Sequence, residues 1–178
     1  MPFFFFLKKC DPFKIITLNT GRIEIKIEAV VIGAGVIGLA VGKSLADKGI
    51  EVAVIEKENR IGEGASTRNS GVIHAGLYYS PKSLKAKLCC RGRKELYQYA
   101  ATKNIPFKKT GKLIVATKKN QLKQLQSLYE NGKANGVPLK ILSKEKVKNI
   151  EEEIQCETAI FSSESGIISV PEYLSSLE

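Results

Sequence analysis

The sequence predicts an α/β fold organised around one strand–turn–helix–strand unit, and three observations indicate it. Residues 30–32 close a run of β-branched residues typical of a buried parallel strand. Glycines follow at Gly33, Gly35 and Gly38, in the spacing G-x-G-x-x-G. After a helical pattern, a second apolar run begins at Val52 and ends at Glu56. Because these parts occur in the order that a dinucleotide-binding βαβ unit requires, we predict a Rossmann-type fold.

Each glycine meets a different steric requirement of such a unit. Gly33 lets the chain turn sharply off the strand, Gly35 leaves room for a pyrophosphate, and Gly38 lets the helix pack closely on the sheet. The helix predicted over residues 36–48 would meet phosphates with unpaired N–H groups and the positive end of its dipole. Glu56 is placed to accept hydrogen bonds from ribose hydroxyls. The other interpretation is an ordinary βαβ unit with incidental glycines.

The composition is that of an ordinary soluble globular protein, with 43% hydrophobic and 26% charged residues among 178. No stretch approaches the roughly 18 apolar residues of a membrane span. The formal net charge is +10, but the basic residues are mostly lysines scattered along the chain, whereas nucleic-acid readers favour clustered arginine. We therefore expect no nucleic-acid partner, while weak attraction to an anionic membrane surface stays open.

The cysteines and the single histidine are not arranged as metal ligands. Cys10, Cys89, Cys90 and Cys156 have no metal-ligand spacing, and a disulfide between adjacent cysteines would close only a strained ring. We predict free thiols, no metal site, and a Cys89–Cys90 pair that packs within a helix. This cysteine usage indicates a reducing compartment, and the predicted location is cytoplasmic or peripheral on the inner membrane.

The sequence divides into three predicted parts. Residues 1–24 lie outside the repeating pattern and form an appended tail, either a short strand or a disordered arm, without the features of a signal or transit peptide. Residues 25–80 form the βαβ unit and a long glycine-rich loop, and loops of this length are usually functional. Residues 81–178 form part of an α+β substrate domain. We expect the chain to be cut short, because a doubly wound sheet needs more strands.

Helix and strand patterns alternate along the third part. Ser83 is predicted to cap a helix that runs to Asn104. The later elements are predicted as a strand over 107–117, a helix over 119–135, a strand over 137–142, a helix over 143–150 capped by Ser143, a hairpin over 159–170 turning at 164–166, and a helix that opens at 171. Leu122, Leu125 and Leu128 form an apolar stripe, which we predict to be core packing because two turns are too few for a dimer zipper.

Several segments beyond the glycine motif resemble a known family. They are VVIGAGVIGLA (30–40), EKE (56–58), STRNSGVIHAGLYY (66–79), SLKAKLC (83–89) and GKLIVA (111–116). Together they are similar to FAD-dependent oxidoreductases of the D-amino-acid-oxidase type, and within that type to L-2-hydroxyglutarate dehydrogenases and oxidases. The run from Arg68 to Tyr79 is the most specific of these segments. The resemblance extends to the C-terminus and covers the first part of a typical family member.

The resemblance implies FAD as the cofactor and two groups of residues that bind it. The pyrophosphate and ribose would be held by Gly33, Ala34, Gly35, Val36, Ile37, Gly38, Glu56 and Lys57. The loop around the pyrophosphate and isoalloxazine would contribute Ser66, Thr67, Arg68, Asn69 and Ser70. The implied reaction takes hydride from C2 of a 2-hydroxy acid, such as L-2-hydroxyglutarate, to the flavin and gives the 2-oxo acid. The implied electron acceptor is a quinone chain or oxygen.

Individual loop residues have two interpretations each. His74 is the candidate catalytic proton acceptor, because imidazole titrates near neutrality, or a loop histidine that holds the turn by bonding to backbone. Arg68 would pair with a phosphate or a substrate carboxylate, or be an ordinary surface arginine. Tyr78 and Tyr79 would line a substrate channel, or belong to the core and its rim.

Three functions are compatible with these observations. The first is an FAD-dependent 2-hydroxy-acid dehydrogenase, and the second is a truncated, inactive FAD-binding fragment that needs a separate C-terminal half. The third is an NAD-linked reductase. Against the third, the chain has no second glycine fingerprint, and the loop over residues 62–76 resembles an FAD wrap. Bound flavin would colour the protein, whereas NAD would not.

Overall fold

The predicted strand–turn–helix–strand unit is present in a computed structural model of the chain. The structure describes residues 27–178 and the backbones of two strands nearer the N-terminus. In chain order the elements are β1 (Phe4–Lys9), β2 (Asp11–Ile16), β3 (Ala29–Ile32), α1 (Val36–Ala46), β4 (Val52–Glu56), β5 (Val72–Ile73), α2 (Leu84–Thr102), β6 (Phe107–Lys108), β7 (Lys112–Ala116), a 3-10 turn (Lys119–Gln121), α3 (Leu122–Ala134), β8 (Leu139–Ser143), α4 (Lys144–Lys148), β9 (Thr158–Ser162), β10 (Gly166–Ile168) and α5 (Val170–Leu177). None of the helices in these residues has the length and apolarity to cross a bilayer.

The chain folds into two compact units, and the first comprises residues 1–70 with 169–178. Its sheet has the strand order β2-β1-β4-β3. Strands β3 and β4 run parallel, as a crossover through α1 requires, whereas β1 is antiparallel to both β4 and β2. The predicted tail over residues 1–24 therefore contributes two paired strands, and its other residues lie outside those described.

Helix α1 packs against β4 through positions that lack side chains. A Cβ at Gly42 would lie 2.8 Å from Cγ2 of Val54, so the helix could not approach the strand as closely with any other residue there. Leu39 on the same helix is buried, as are Val52 and Ala53 on the strand. The core of the first unit therefore lies between α1 and β4.

The prediction that β3 is a buried strand is wrong for one of its faces, and one side of α1 is exposed as well. Val30 and Ile32 on β3 are 53% and 88% exposed, and Ile37 and Val41 on α1 are 75% and 46% exposed. Val30 and Ile32 are two positions apart and therefore point to the same face of the sheet, whereas Val31 points toward α1. Their exposure shows that no described residue covers that face of β3. A run of β-branched residues indicates a strand that can be buried, but it does not specify the neighbours that would bury it.

The second unit, residues 71–168, contains two antiparallel three-stranded sheets. Their strand orders are β5-β10-β6 and β7-β9-β8. Helix α3 packs on the latter sheet, where buried Leu125 meets Ala116 and Ile160. Leu128 joins this cluster, while Leu122 is 38% exposed. The predicted leucine stripe is thus core packing at two of its three positions.

The hairpin predicted over residues 159–170 is wrong. Strands β9 and β10 are consecutive in the chain, but they belong to different sheets. Gly166 begins β10 instead of forming the turn, and a Cβ there would overlap the Lys108 carbonyl and the Tyr97 hydroxyl. Pairing with distant strands has outweighed the local turn signal.

Other predicted boundaries shift in the structure. The strand predicted over 107–117 is two strands, β6 and β7, because the chain turns at Gly111 with φ +73°. The helix predicted over 119–135 begins as a 3-10 turn and continues as α3, and the strand predicted over 137–142 is β8. Ser83 caps α2 as predicted, since its Oγ accepts a hydrogen bond from the Ala86 amide at 3.1 Å. Ser143 occupies the N-cap position of α4 as predicted, but its side chain makes no capping hydrogen bond with the helix backbone.

Candidate functional site

The turn between β3 and α1 has the geometry that the glycine spacing predicts. Gly33 has φ +99°, in the left-handed region, and its amide donates to the Ile55 carbonyl at 2.7 Å. Gly35 is extended and forms the N-cap of α1. A Cβ at Gly38 would overlap the carbonyl oxygen of Gly33. The strand end and the helix start are therefore held together more closely than side chains would permit.

The N-terminus of α1 presents amide donors toward this turn. The Val36 amide donates to Oγ of Ser66 at 2.9 Å. Within the described part of the chain, the amides of Gly35, Ile37 and Gly38 have no hydrogen-bond acceptor. A helix leaves its first four N–H groups unpaired, and these groups together with the helix dipole favour an anion. Three donors are thus available to a bound phosphate.

Glu56 accepts three backbone hydrogen bonds at the carboxyl end of β4. Its Oε2 accepts from the Ala34 amide at 2.7 Å, and its Oε1 accepts from the amides of Lys57 and Glu58 at 2.8 and 3.1 Å. Partial burial raises the pKa of this carboxyl, but the three amides and the nearby Lys57 ammonium lower it by more, so the net pKa is below its ordinary value. Glu56 is therefore a charged acceptor next to the glycine turn.

The loop after β4 folds back onto the turn. The Gly62 amide donates to the Ala34 carbonyl at 2.8 Å, and the amide and hydroxyl of Thr67 donate to the Gly62 carbonyl at 3.1 and 2.8 Å. Asn69 braces the loop by donating from Nδ2 to the Ser66 carbonyl at 2.8 Å. These bonds fix the backbone that carries the Ser66 hydroxyl to the helix N-terminus.

The predicted site residues of the first unit separate into two groups. The structure brings together the glycine turn, Glu56, Ser66 and Thr67. Arg68 and Ser70 are exposed, and Arg68 makes no ion pair with any described residue. Lys57 contributes its amide to Glu56, while its ammonium lies 3.5 Å from the Glu58 carboxylate.

His74 belongs to the second unit and follows β5. Its side chain is exposed, and no described residue forms a hydrogen bond with its imidazole. The exposed ring gives no support to the interpretation that it holds the turn by bonding to backbone. Tyr78 is 47% exposed and Tyr79 is half-buried, and each ring lies under a lysine ammonium, Lys112 and Lys85 respectively.

Three polar side chains that contact the segment after His74 were not identified from the sequence. Arg93 on α2 is buried although it is charged, and Asn131 and Asn135 lie at the end of α3. All three donate to carbonyls of the segment that follows His74. One signal could have found the asparagines, because two amides four positions apart on an amphipathic helix share one face.

The cysteines and the absence of a predicted metal site can be compared with the described residues. Cys89, Cys90 and Cys156 are free thiols, and Cys10 lies outside the described residues. Burial and the adjacent Cys90 raise the pKa of Cys89, against smaller lowering effects of Arg93 and Lys85, so this thiol is a poor nucleophile. The described residues contain no group of three side chains that could hold a metal ion.

The first unit fits the diphosphate and ribose of an adenine dinucleotide. Gly35 has no Cβ to obstruct an approach, and Ser66 Oγ lies just 3.2 Å from the place that a Cβ would take. Unpaired amides at the helix N-terminus suit the phosphates, and the Glu56 carboxylate suits ribose hydroxyls. The donor set therefore matches the chemistry of FAD on its adenosine side.

Comparison of the sequence with known proteins agrees with this fit. The profile of the DAO family, described as FAD dependent oxidoreductase, matches residues 28–178. The chain is 44% identical over 153 residues to mitochondrial L-2-hydroxyglutarate dehydrogenase of Arabidopsis thaliana. This alignment covers 85% of this chain and 32% of that protein. It is 41% identical over 144 residues to the Homo sapiens protein of the same name, and this alignment covers 79% of this chain and 31% of that protein. The chain spans about one third of the length of the curated relatives it matches.

Solved structures give the same result for the fold. The dithionite-reduced L-alpha-glycerophosphate oxidase of Mycoplasma pneumoniae with FAD bound has a TM-score of 0.77 and 29% identity, covering 84% of this chain and 40% of that one. Glycine oxidase of Geobacillus kaustophilus, at 24% identity, has a TM-score of 0.75, and the superposition covers 84% of this chain and 42% of that one. The predicted resemblance and the Rossmann-type α/β fold are confirmed, and the chain belongs to the family of FAD dependent oxidoreductases.

Proposed function

We propose that this chain binds FAD through the turn between β3 and α1 and forms part of an enzyme that oxidises L-2-hydroxyglutarate, or a similar 2-hydroxy acid, to the 2-oxo acid. The observation that carries the proposal is the set of unpaired amides at the start of α1 beside the charged Glu56 carboxylate. The substrate rests on the 40–44% identity to proteins named L-2-hydroxyglutarate dehydrogenase.

The cofactor site is built from backbone donors and one carboxylate. The amides of Gly35, Ile37 and Gly38 would bind the diphosphate, and the Ser66 hydroxyl would donate to the same group. Glu56 would exchange its bond from the Ala34 amide for ribose hydroxyls, which would free that amide for a phosphate oxygen. Lys57, Thr67, Asn69 and Ser70 would complete the loop around the cofactor, and Arg68 would pair with a phosphate or with the substrate carboxylate.

The oxidation needs a hydride acceptor and a proton acceptor. FAD, when bound, supplies the hydride acceptor. We assign the proton acceptor to His74, whose exposed imidazole would take the proton from the 2-hydroxyl as hydride leaves C2. The electrons would pass on to a quinone chain or oxygen. A cytoplasmic location, or contact with an inner membrane surface, stays a prediction from composition.

A second candidate function is an FAD-binding chain without turnover, which gains activity only with a separately encoded C-terminal half. Two observations favour it. The chain matches about one third of its curated relatives, and Val30 and Ile32 on the edge strand are exposed although they are apolar. Residues that would complete the substrate pocket would then come from the partner chain.

Visible absorbance of the purified chain tests the first step. We expect the chain, supplied with FAD and desalted, to retain the absorbance of bound flavin, and Gly35→Val to lose it because a side chain would obstruct the phosphates. Gly92→Val is the matched control, since a Cβ at this helical glycine meets nothing within 4 Å. A folded, colourless wild-type chain would contradict FAD binding.

Anaerobic addition of L-2-hydroxyglutarate separates the two candidates. Bleaching of the bound flavin by this acid, and not by D-2-hydroxyglutarate, is the result expected of an enzyme. A coloured chain that bleaches only after addition of a protein corresponding to the unmatched two thirds of its relatives would establish the second candidate.

A further inference from the structure

The segment over residues 74–79, which we name the strap, has its backbone held from one side by polar side chains. Arg93, 5% exposed, donates from Nη1 to the Ala75 carbonyl at 2.9 Å. Its Nε lies 3.6 Å from the Glu164 carboxylate, which is close enough for an ion pair and too far for a hydrogen bond. A buried guanidinium is thus aimed at one strap carbonyl and balanced by one carboxylate.

Asn131 near the end of α3 and Asn135, the residue that follows α3, bond to three further strap carbonyls. Each amide nitrogen carries two hydrogens, and in both residues the structure provides an acceptor for each. Asn131 Nδ2 donates to the carbonyls of Leu77 and Tyr79 at 2.6 and 2.9 Å, and Asn135 Nδ2 donates to those of Gly76 and Tyr79 at 3.0 and 2.7 Å. Together with Arg93, these side chains satisfy four of the six strap carbonyls.

Packing restricts the strap from the same side. Ala75 and Leu77 are 3% and 1% exposed, and Gly76 has φ +99°. A Cβ at Gly76 would lie 2.6 Å from Sγ of Cys90 on α2. The strap backbone is therefore pressed against its helices, while the His74 side chain projects outward and is exposed.

We propose that Arg93, Asn131 and Asn135 are positioning residues, which fix the strap in one conformation and thereby orient the His74 imidazole for proton transfer. The orienting role rests on the proposed function, whereas the fixing of the strap does not. A proton acceptor is effective only when it lies within hydrogen-bond reach of the proton, and a displacement of about 1 Å can lower a rate about 100-fold. Burial of the charged Arg93 side chain costs free energy. On this proposal the buried side chain positions His74, in addition to any contribution it makes to the core.

The single histidine of the sequence provides a direct probe. In the 178-residue chain, the imidazole Cε1–H gives one NMR signal, which belongs to His74. We expect a single narrow signal in the wild type, and a signal that is broadened or moved to the random-coil position in Asn131→Asp and Asn135→Asp, because each variant replaces donors with acceptors that face carbonyls. Asn120→Asp, at an exposed position in the 3-10 turn, is the matched control and should leave the signal unchanged.

Kinetics separates positioning from a merely structural role. With FAD and L-2-hydroxyglutarate, we expect the two variants to lower kcat about 10- to 100-fold and to alter its pH profile, with KM for the acid changed less than about twofold. The kcat of Arg93→Lys, which keeps a charged donor, should lie between that of the wild type and that of Arg93→Met.

The outcomes distinguish this inference from the proposed function. Folded variants with an unchanged His74 signal, or a changed signal with an unchanged kcat, would overturn the positioning role. If the variants do not fold, 15N relaxation of the wild type decides. Strap order parameters as low as those of mobile loops would overturn the fixed conformation, and values like those of α2 and α3 would support it. A wild type that never takes up FAD would refute the proposed function, and the NMR comparison alone would then decide whether these side chains fix the strap.

Discussion

Three backbone amides converge on the single carboxylate of Glu56, and this arrangement defines how the site responds to pH. The amides lower the pKa of the carboxyl by more than partial burial raises it. A carboxyl whose pKa is depressed in the folded state contributes stability above its unfolded pKa of about 4.3, and this contribution is lost as the pH falls through the folded value.

Glu56→Gln should therefore flatten the acid end of the stability profile. The wild type should lose unfolding free energy through this group as the pH falls from about 4.3 through the lower pKa of the folded state. The variant should lack that loss and be less stable at neutral pH. Urea titrations across this range measure both effects. Glu58→Gln, at the exposed neighbour, is the control, and the same flattening in both variants would show that Glu56 has no special part in it.

The conformation and contacts of a residue can be predicted from the sequence where they depend on residues close to it in the chain. The positive φ of Gly33 and the overlap expected at Gly38 follow from their spacing alone, because both concern one turn. Arg93, Asn131 and Asn135 act on a segment far away in sequence, and no local pattern indicates which carbonyls they would meet.

At the scale of elements, the two serines that precede α2 and α4 show what a local signal leaves undetermined. The sequence predicts both as N-caps, but only Ser83 accepts a bond from its helix, at 3.1 Å from the Ala86 amide. Ser83→Ala should cost about 1 kcal/mol of unfolding free energy, whereas Ser143→Ala should cost clearly less. Chemical denaturation of the two variants checks this difference, and equal losses would show that the capping bond of Ser83 contributes nothing.

The junction of β3 and α1 provides a second element-scale prediction. Gly38→Ala should destabilise the first unit by about 3 kcal/mol, because its Cβ would overlap the Gly33 carbonyl and force the strand and the helix apart. Gly92→Ala, in the interior of α2 with open space around the added Cβ, should instead gain about 0.5–1 kcal/mol. Circular dichroism during urea unfolding gives both values. A tolerated Gly38→Ala would mean that the helix can move away from the strand at little cost.

Strand pairing sets the limit of prediction at this scale. Helices α2, α3 and α5 follow from periodicity and punctuation, since their signals are local. The error in the hairpin over residues 159–170 depends on which distant strand pairs with β10, and the exposed face of β3 depends on which distant element packs on it, so neither is specified by the local sequence. A sequence pattern identifies a strand more readily than its neighbours.

At the scale of the whole molecule, FAD should stabilise the folded chain in proportion to its occupancy. A ligand that binds only the native state at about 100 times its Kd adds about 2.7 kcal/mol, which for a chain of this length raises Tm by about 5–10 °C. We expect this shift in the wild type and in Gly92→Val, and its absence in Gly35→Val, where the β3–α1 turn would no longer admit a diphosphate. Differential scanning calorimetry at increasing FAD concentrations measures it. ADP should produce part of the shift, since the amides of α1 and the Glu56 carboxylate would bind the adenosine half alone. An equal shift in Gly35→Val would place the binding site elsewhere in the chain.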